Sequence, residues 1–155
     1  MRHYLLITIA IVFVACTNNR PVAEHSHRFE NNKWEQSVPV EFSAIFKDTE
    51  SEYSIEITVV HTKHYLFSNL LFSLLIITPD GGERNTDFEI FLKDDNGNFT
   101  GKQKDSAYYF VFDGLKRTAF FQQGTYIFRL QHHMPFEFVE GIEQLKVEIH
   151  KLQNE

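Results

Sequence analysis

From Val38 onward, apolar and polar residues alternate with period two, the signature of strands that bury one face. Val38, Val40, Phe42, Ala44 and Phe46 interleave with Pro39, Glu41, Ser43, Ile45 and Lys47. Tyr53, Ile55, Ile57 and Val59 interleave with Ser54, Glu56 and Thr58; Phe88, Ile90 and Leu92 do so with Asp87, Glu89 and Phe91. Leu70 to Ile77 is instead a continuous apolar run, which predicts a central strand covered on both faces. Further strands are expected at Tyr108 to Phe112, Arg117 to Phe121, Thr125 to Gln131 and Leu145 to His150. Pro79-Asp80-Gly81-Gly82 marks a turn, and Asp94-Asp95-Asn96-Gly97 predicts a hairpin, since Asn-Gly is the preferred pair for a tight primed turn. A helical turn is expected only over Glu140 to Gln144. About eight strands separated by turn signals predict a mostly β chain, an antiparallel β-sandwich of immunoglobulin-like or jelly-roll-like type.

The first residues follow a different rule. Arg2 precedes an apolar run from Tyr4 to Val14, too short for a spanning helix, which needs about 20 residues. It suits the central region of an export signal. The run ends at Phe13-Val14-Ala15-Cys16, with a small residue directly before cysteine, as in a bacterial lipobox. A small side chain at Ala15 admits the signal peptidase, and the Cys16 thiol is the nucleophile that takes the lipid. Cys16 is the only cysteine, so its acylation leaves no thiol for a disulfide. Two or three acyl chains, at about 0.8 kcal/mol per buried CH₂, anchor a protein stably. Thr17 stands where an aspartate would argue for inner-membrane retention, so the expectation is an outer-membrane lipoprotein facing the periplasm. Residues 17–37 are polar and lack an apolar period, which predicts a tether in which Trp34 marks first contact with the folded body. The expected organisation is a signal peptide over 1–15, the lipidated Cys16 and tether over 16–37, and a β-sandwich over 38–155.

Composition removes several function classes. The formal charge is −6, and no run of Lys or Arg is present, so a nucleic-acid footprint is absent. An acidic domain is not drawn electrostatically to anionic lipid heads, so membrane attachment is expected through the lipid on Cys16. The 8 histidines invite a metal reading. His132 and His133, however, are adjacent, and neighbours on a strand point to opposite faces. No H-E-x-x-H motif helps, and no metal or other cofactor is expected. Asp94, Asn96 and Asn98 resemble the start of a calcium loop, but Phe99 stands where that loop needs glycine, so turn chemistry is the better account. G-x-S-x-G and G-x-x-x-x-G-K are both missing, so no enzyme is expected and no catalytic residue is named. Ile45, Phe91, Tyr109 and Ile127 fall on the polar side of their strands. Packing against loops or the second sheet is the expected explanation, and a partner-binding face is the alternative.

Several segments together carry a family resemblance. They are Trp34; Tyr65-Leu66-Phe67-Ser68-Asn69-Leu70; Pro79-Asp80-Gly81; Asp95-Asn96-Gly97-Asn98-Phe99-Thr100-Gly101; Gly124-Thr125-Tyr126-Ile127-Phe128; Gln131 with Met134; and Gly141-Ile142. In this order and spacing the chain resembles the gliding-motility lipoprotein GldH family of gliding and type IX-secreting bacteria. It departs from the family at Pro135, where an arginine often follows the methionine, and at Phe99, where a tryptophan is usual. The resemblance implies a non-enzymatic accessory of the gliding and type IX secretion machinery, with other envelope lipoproteins or machinery proteins as partners. The alternative is a glycan- or ligand-binding lipoprotein. A glycan binder would show coplanar exposed aromatics beside a shallow polar groove, whereas a machinery component would show a flat, mixed apolar face.

Overall fold

Alternating burial along the chain builds two antiparallel sheets whose inner faces meet in one aromatic-rich core. The computed structural model describes residues 20–153; the expected signal segment and Cys16 lie outside the described residues. In chain order the strands are β1 (Ala23–Arg28), β2 (Lys33–Glu35), β3 (Val40–Phe46), β4 (Glu52–Thr62), β5 (Asn69–Ile77), β6 (Glu83–Phe91), β7 (Lys102–Lys104), β8 (Ala107–Ala119), β9 (Gly124–His132), β10 (Phe138–Glu140) and β11 (Ile142–Lys151). One sheet has the order β1-β11-β4-β8-β7, the other β3-β9-β5-β6, and β2 pairs with β10 in a small third ladder. The fold is the antiparallel sandwich that the alternation predicts.

Among the described residues eleven strands replace the eight expected, because one pair fuses and four short strands are added. The expected strands on either side of Gly114 are a single bent strand, β8. A Cβ at Gly114 would stand 2.9 Å from Ile57 Cδ1 and 3.3 Å from the Ile55 carbonyl, so glycine eases the close approach to β4 where the register of the pair shifts. The turn after Asp94 also differs. Among its residues only Gly97 has positive φ, so the turn is not the primed type, which needs positive φ at both central residues. Glu140 to Gln144 holds no helical turn; Gly141, at φ +86, separates β10 from β11.

The tether expected over residues 17–37 is corrected from Val22 onward. The Val22 N–H donates to the Ile149 carbonyl at 2.7 Å, and all of β1 pairs with β11 from Ala23↔Ile149 to Arg28↔Gln144. This strand escapes an apolar-period search because its inward positions are Ala23, His25 and His27. The His25 ring lies 4.8 Å from Phe42 at 7°, and Phe42 stacks in the same way on Phe128. His27 packs edge-on to Phe29. Histidine thus does the work of an aromatic apolar residue on this edge, and burial, with His27 nearby, lowers the His25 pKa.

The two ends of the sandwich are closed by different aromatic groups. At the end where β1 begins, called the near end, Phe46 lies 3.8 Å from Phe120 and packs on Tyr53 and Tyr126. Asp48 fastens the connection from β3 to β4 there: its carboxylate accepts from the Glu50 and Ser51 N–H groups, the Ser51 hydroxyl and Lys151. These bonds, Lys151 foremost, hold the Asp48 carboxyl well below the usual range. At the far end Trp34, fully buried, packs on Phe29, Phe72 and His132. Burying one such aromatic removes about 150–250 Å² from water, worth roughly 4–6 kcal/mol gross.

Candidate functional site

The outer face of the four-stranded sheet is built by the residues that alternation turns away from the core. In β9 these are Thr125, Ile127, Arg129 and Gln131, and in β5 they are Leu71, Ser73, Leu75 and Ile77. Pairing sets Ile127 beside Ile77, Arg129 beside Leu75 and Gln131 beside Ser73. On the other flank of β5, Glu83 faces Ile77, Asn85 faces Leu75, Asp87 faces Ser73 and Glu89 faces Leu71. Beyond β9, Glu41, Ser43 and Ile45 of β3 complete the face. An aliphatic strip therefore runs along the middle strands, roughly 20 Å from Ile77 to Leu71 at about 3.3 Å per residue. Acidic and amide side chains of β6 border one side, and the Glu41–Arg129 ion pair at 2.7 Å borders the other.

This corrects the expectation that β5 is covered on both faces. Leu70, Phe72, Leu74 and Ile76 are buried, while Leu71, Leu75 and Ile77 keep part of their surface in water. It also sorts the four residues suspected from alternation. Ile45 is 69% and Phe91 58% exposed, so neither packs under a loop or the other sheet. Ile127 joins them on the same face, half-buried. Tyr109 lies apart, on the outer face of the other sheet opposite Val60. Sequence reasoning missed Leu71, Leu75 and Ile77. Alternate positions within the unbroken apolar run were the available signal.

A shallow depression of about 510 Å³ lies across this face, lined by Leu71, Ser73, Leu75, Asp87, Arg129 and His133 among others. His133 Nε2 is 2.8 Å from the Ser73 hydroxyl. The adjacent His132 points the opposite way into the core, as alternation requires, and burial lowers its pKa. The Ser73–His133 pair lacks the surroundings of a nucleophile. Among the described residues no carboxylate bonds the His133 ring, and nearby donors are engaged elsewhere. Arg129 binds Glu41, the Gln131 amide donates to the Gln36 carbonyl, and the Asn85 amide donates to Asp87. The aromatic residues beneath the depression, Phe72 and Phe88, pack on each other and on Phe112 of the opposite sheet, so they offer no flat surface outward.

The other suspected chemistry resolves into turns and packing. Asp94 Oδ1 accepts from the Asn96 and Asn98 N–H groups at 2.9 and 2.8 Å, and Asn98 Nδ2 donates to Oδ2. That carboxylate closes its own loop. His61 is fully buried among Tyr65, Phe99 and Tyr108, with Nδ1 3.2 Å from the Thr62 carbonyl, and burial lowers its pKa. Among the described residues no three of His, Cys, Asp and Glu converge on a metal position.

Most of the segments that carried the resemblance gather at the far end, while Gly124 packs on Pro79 at the near end. The Tyr65 hydroxyl donates to the Asn69 carbonyl, Phe67 stacks on Phe136, and the Met134 sulfur accepts from the Leu71 N–H. Gly141 packs so tightly on the backbone of Tyr65 that a Cβ would stand 2.5 Å from its nitrogen. Residues 21–149 match the family model described as GldH lipoprotein. The chain belongs to the GldH lipoprotein family. As such it is a membrane-anchored protein of the cell envelope, and the family fits a role in gliding motility. No curated protein matches it. Among solved structures it is similar to the infectious bursal disease virus VP2 subviral particle, at 20% identity and a TM-score of 0.35, covering 84% of this chain and 33% of that one. T=1 particles derived from the same virus align at 11% identity and a TM-score of 0.24, covering 86% of this chain and 28% of that one. The GldH-family chain thus spans about a third of the length of these viral chains, and superposition this loose carries no functional weight.

Proposed function

We propose that this protein is a non-catalytic accessory of the gliding-motility machinery and its associated type IX secretion apparatus. It is held by lipid on Cys16 at the periplasmic side of the outer membrane. It binds a neighbouring envelope protein against the outer face of its four-stranded sheet. The observation that carries this reading is the half-exposed aliphatic strip of Leu71, Leu75, Ile77 and Ile127, extended by exposed Ile45 and bordered by charge. An apolar centre with a polar rim is how protein interfaces are built.

The magnitude fits a confined partner. Completing the burial of the partly buried Leu71, Leu75, Ile77 and Ile127 and of the exposed Ile45 is worth roughly 3–4 kcal/mol in total from this side, before the cost of immobilising the partner. That gives weak association in solution. Net affinity therefore also needs the partner's own apolar surface buried against this face, and tethering both proteins to one membrane helps by raising their effective concentration towards the millimolar range.

The alternative, a glycan-binding lipoprotein, has the shallow depression in its favour. It lacks the stacking surface, since the aromatic rings there face the core. A photo-crosslinking residue at Ile127, in the native envelope, should capture a defined envelope protein. The same residue at Val111, exposed on the opposite sheet, should not. Equal capture from both positions would remove the face from the account, and glycan binding at the depression would favour the alternative.

A further inference from the structure

The chain joins the sandwich at its near end, and covalent length limits where that end can be. Cys16 precedes Ala23 by seven residues. An extended chain advances at most about 3.6 Å per residue, so the start of β1 lies within about 25 Å of Cys16. The far end is much further away. The eleven residues of β4 alone span roughly 36 Å at about 3.3 Å per residue. If Cys16 carries the lipid, as proposed above, the near end is the part of the sandwich held next to the bilayer, and an upright domain carries the exposed Leu66 and Phe136 of the far end away from it.

The near end carries its own apolar projection. Phe121 is 82% exposed, the most of any large apolar side chain among the described residues, and Val22 is 52% exposed. Val22 lies one residue before the Ala23↔Ile149 pair, and the Leu152 N–H donates to the Glu52 carbonyl at the same end. Glu52 pairs with Ala119, two residues before Phe121. Three strand spacings of about 4.8 Å separate β1 from β8, so Phe121 stands roughly 14 Å across the sheet from the incoming chain. Charges nearby are largely matched, with Lys151 on Asp48 and Arg117 on Glu52. A balanced rim with a projecting apolar ring suits the bilayer interface, where Phe, Trp and Leu side chains bury about 5–10 Å into the headgroup and acyl boundary.

We infer that the near end of the sandwich rests on the lipid surface, with Phe121 inserted at headgroup depth beside the acylated Cys16. The domain then stands upright, and the far end around Trp34 and Tyr65 is presented about 35 Å from the membrane. The inference depends on lipidation of Cys16, and the test separates the two. Acylation leaves an introduced cysteine as the only free thiol, so the full lipoprotein can be labelled at one site. Gln123→Cys, next to the near end, and Leu66→Cys, at the far end, each receive an environment-sensitive dye. The proteins are reconstituted in phosphatidylethanolamine and phosphatidylcholine vesicles containing a headgroup nitroxide quencher.

Flotation with the vesicles reports anchoring, and quenching reports depth. The expected result is flotation of both proteins, with the Gln123→Cys dye losing roughly half its emission and the Leu66→Cys dye unchanged. Adding Phe121→Ser to Gln123→Cys should restore the emission while flotation persists. Flotation without selective quenching overturns the inference and leaves the lipid anchor standing. A dye at Gln123→Cys that is shielded from water yet unquenched would put a second copy or another protein on this end, which also overturns it. Failure to float would remove the anchor and the inference with it.

Discussion

Replacing Gly141 with alanine isolates how the far end is locked. Gly141 sits at φ +86 between β10 and β11. Its N–H donates to the Asn32 carbonyl at 2.9 Å and its carbonyl accepts from the Thr62 N–H at 2.8 Å. Two costs follow. A left-handed backbone is unfavourable for alanine by about 1–2 kcal/mol. The new Cβ would also lie 2.5 Å from Tyr65 N and 2.7 Å from its Cα. Those are backbone atoms that no rotamer change can move, and overpacking of this kind adds about 1–3 kcal/mol. The sum is roughly 2–5 kcal/mol of lost stability. Gly97→Ala is the matched control, with φ +81 and nothing within 4 Å of a Cβ, so only the first cost applies. Urea unfolding of both variants can be followed by the single, fully buried Trp34. If Gly141→Ala is no less stable than Gly97→Ala, the close approach of the β10–β11 turn to Tyr65 is wrong.

Two further perturbations probe the body of the sandwich. Trp34→Ala should cost about 3–5 kcal/mol, because the ring is fully buried between Phe29, Phe72 and His132; a tether residue would show no change in the urea midpoint. His61 and His132 should make stability fall with acid. Burial lowers both pKa values, so below the unfolded value of about 6.5 the unfolded chain binds more protons, and stability drops as pH falls. The slope reaches at most about 1.4 kcal/mol per pH unit for each histidine. Urea midpoints between pH 7.5 and 5.5 should therefore fall in the wild type and fall less steeply in the His61→Gln, His132→Gln double variant, where His25 keeps a lowered pKa. Parallel curves for the two proteins would refute that origin.

The strands that could be read from the chain are those whose inward residues are aliphatic or aromatic at every second position. Such are β3, β4, β9 and β11, where alternation and burial coincide. What escaped did so for identifiable reasons. The inward side of β1 carries histidines whose rings stack on phenylalanines, so a hydropathy pattern registers it as polar. β2 and β10 are three residues each, too short for any period, and exist because Trp34 and Val139 fill the far end. β8 looked like two strands because Gly114 interrupts its pattern at the bend. The candidate face was half legible. Ile45, Phe91 and Ile127 stood out on polar sides, but in β5 apolar residues occupy both sides. An unbroken apolar run cannot distinguish a strand buried within one protein from one whose second face awaits another. Lipidation at Cys16 rests on local chemistry alone, beyond the reach of the folded domain.

The central claim is that the outer face of the four-stranded sheet holds an envelope partner needed for gliding. Leu75→Glu tests it most directly, because Leu75 lies mid-strip, partly buried, between Arg129 and Asn85. Losing the partial burial of Leu75 should cost about 1 kcal/mol of stability, too little to unfold the domain, while a carboxylate in the middle of the interface should abolish docking. In cells that glide and carry this protein as their sole copy, the account predicts normal levels of membrane-bound variant and loss of gliding. Gliding at the wild-type rate, with the variant present in the envelope in normal amount, would contradict it.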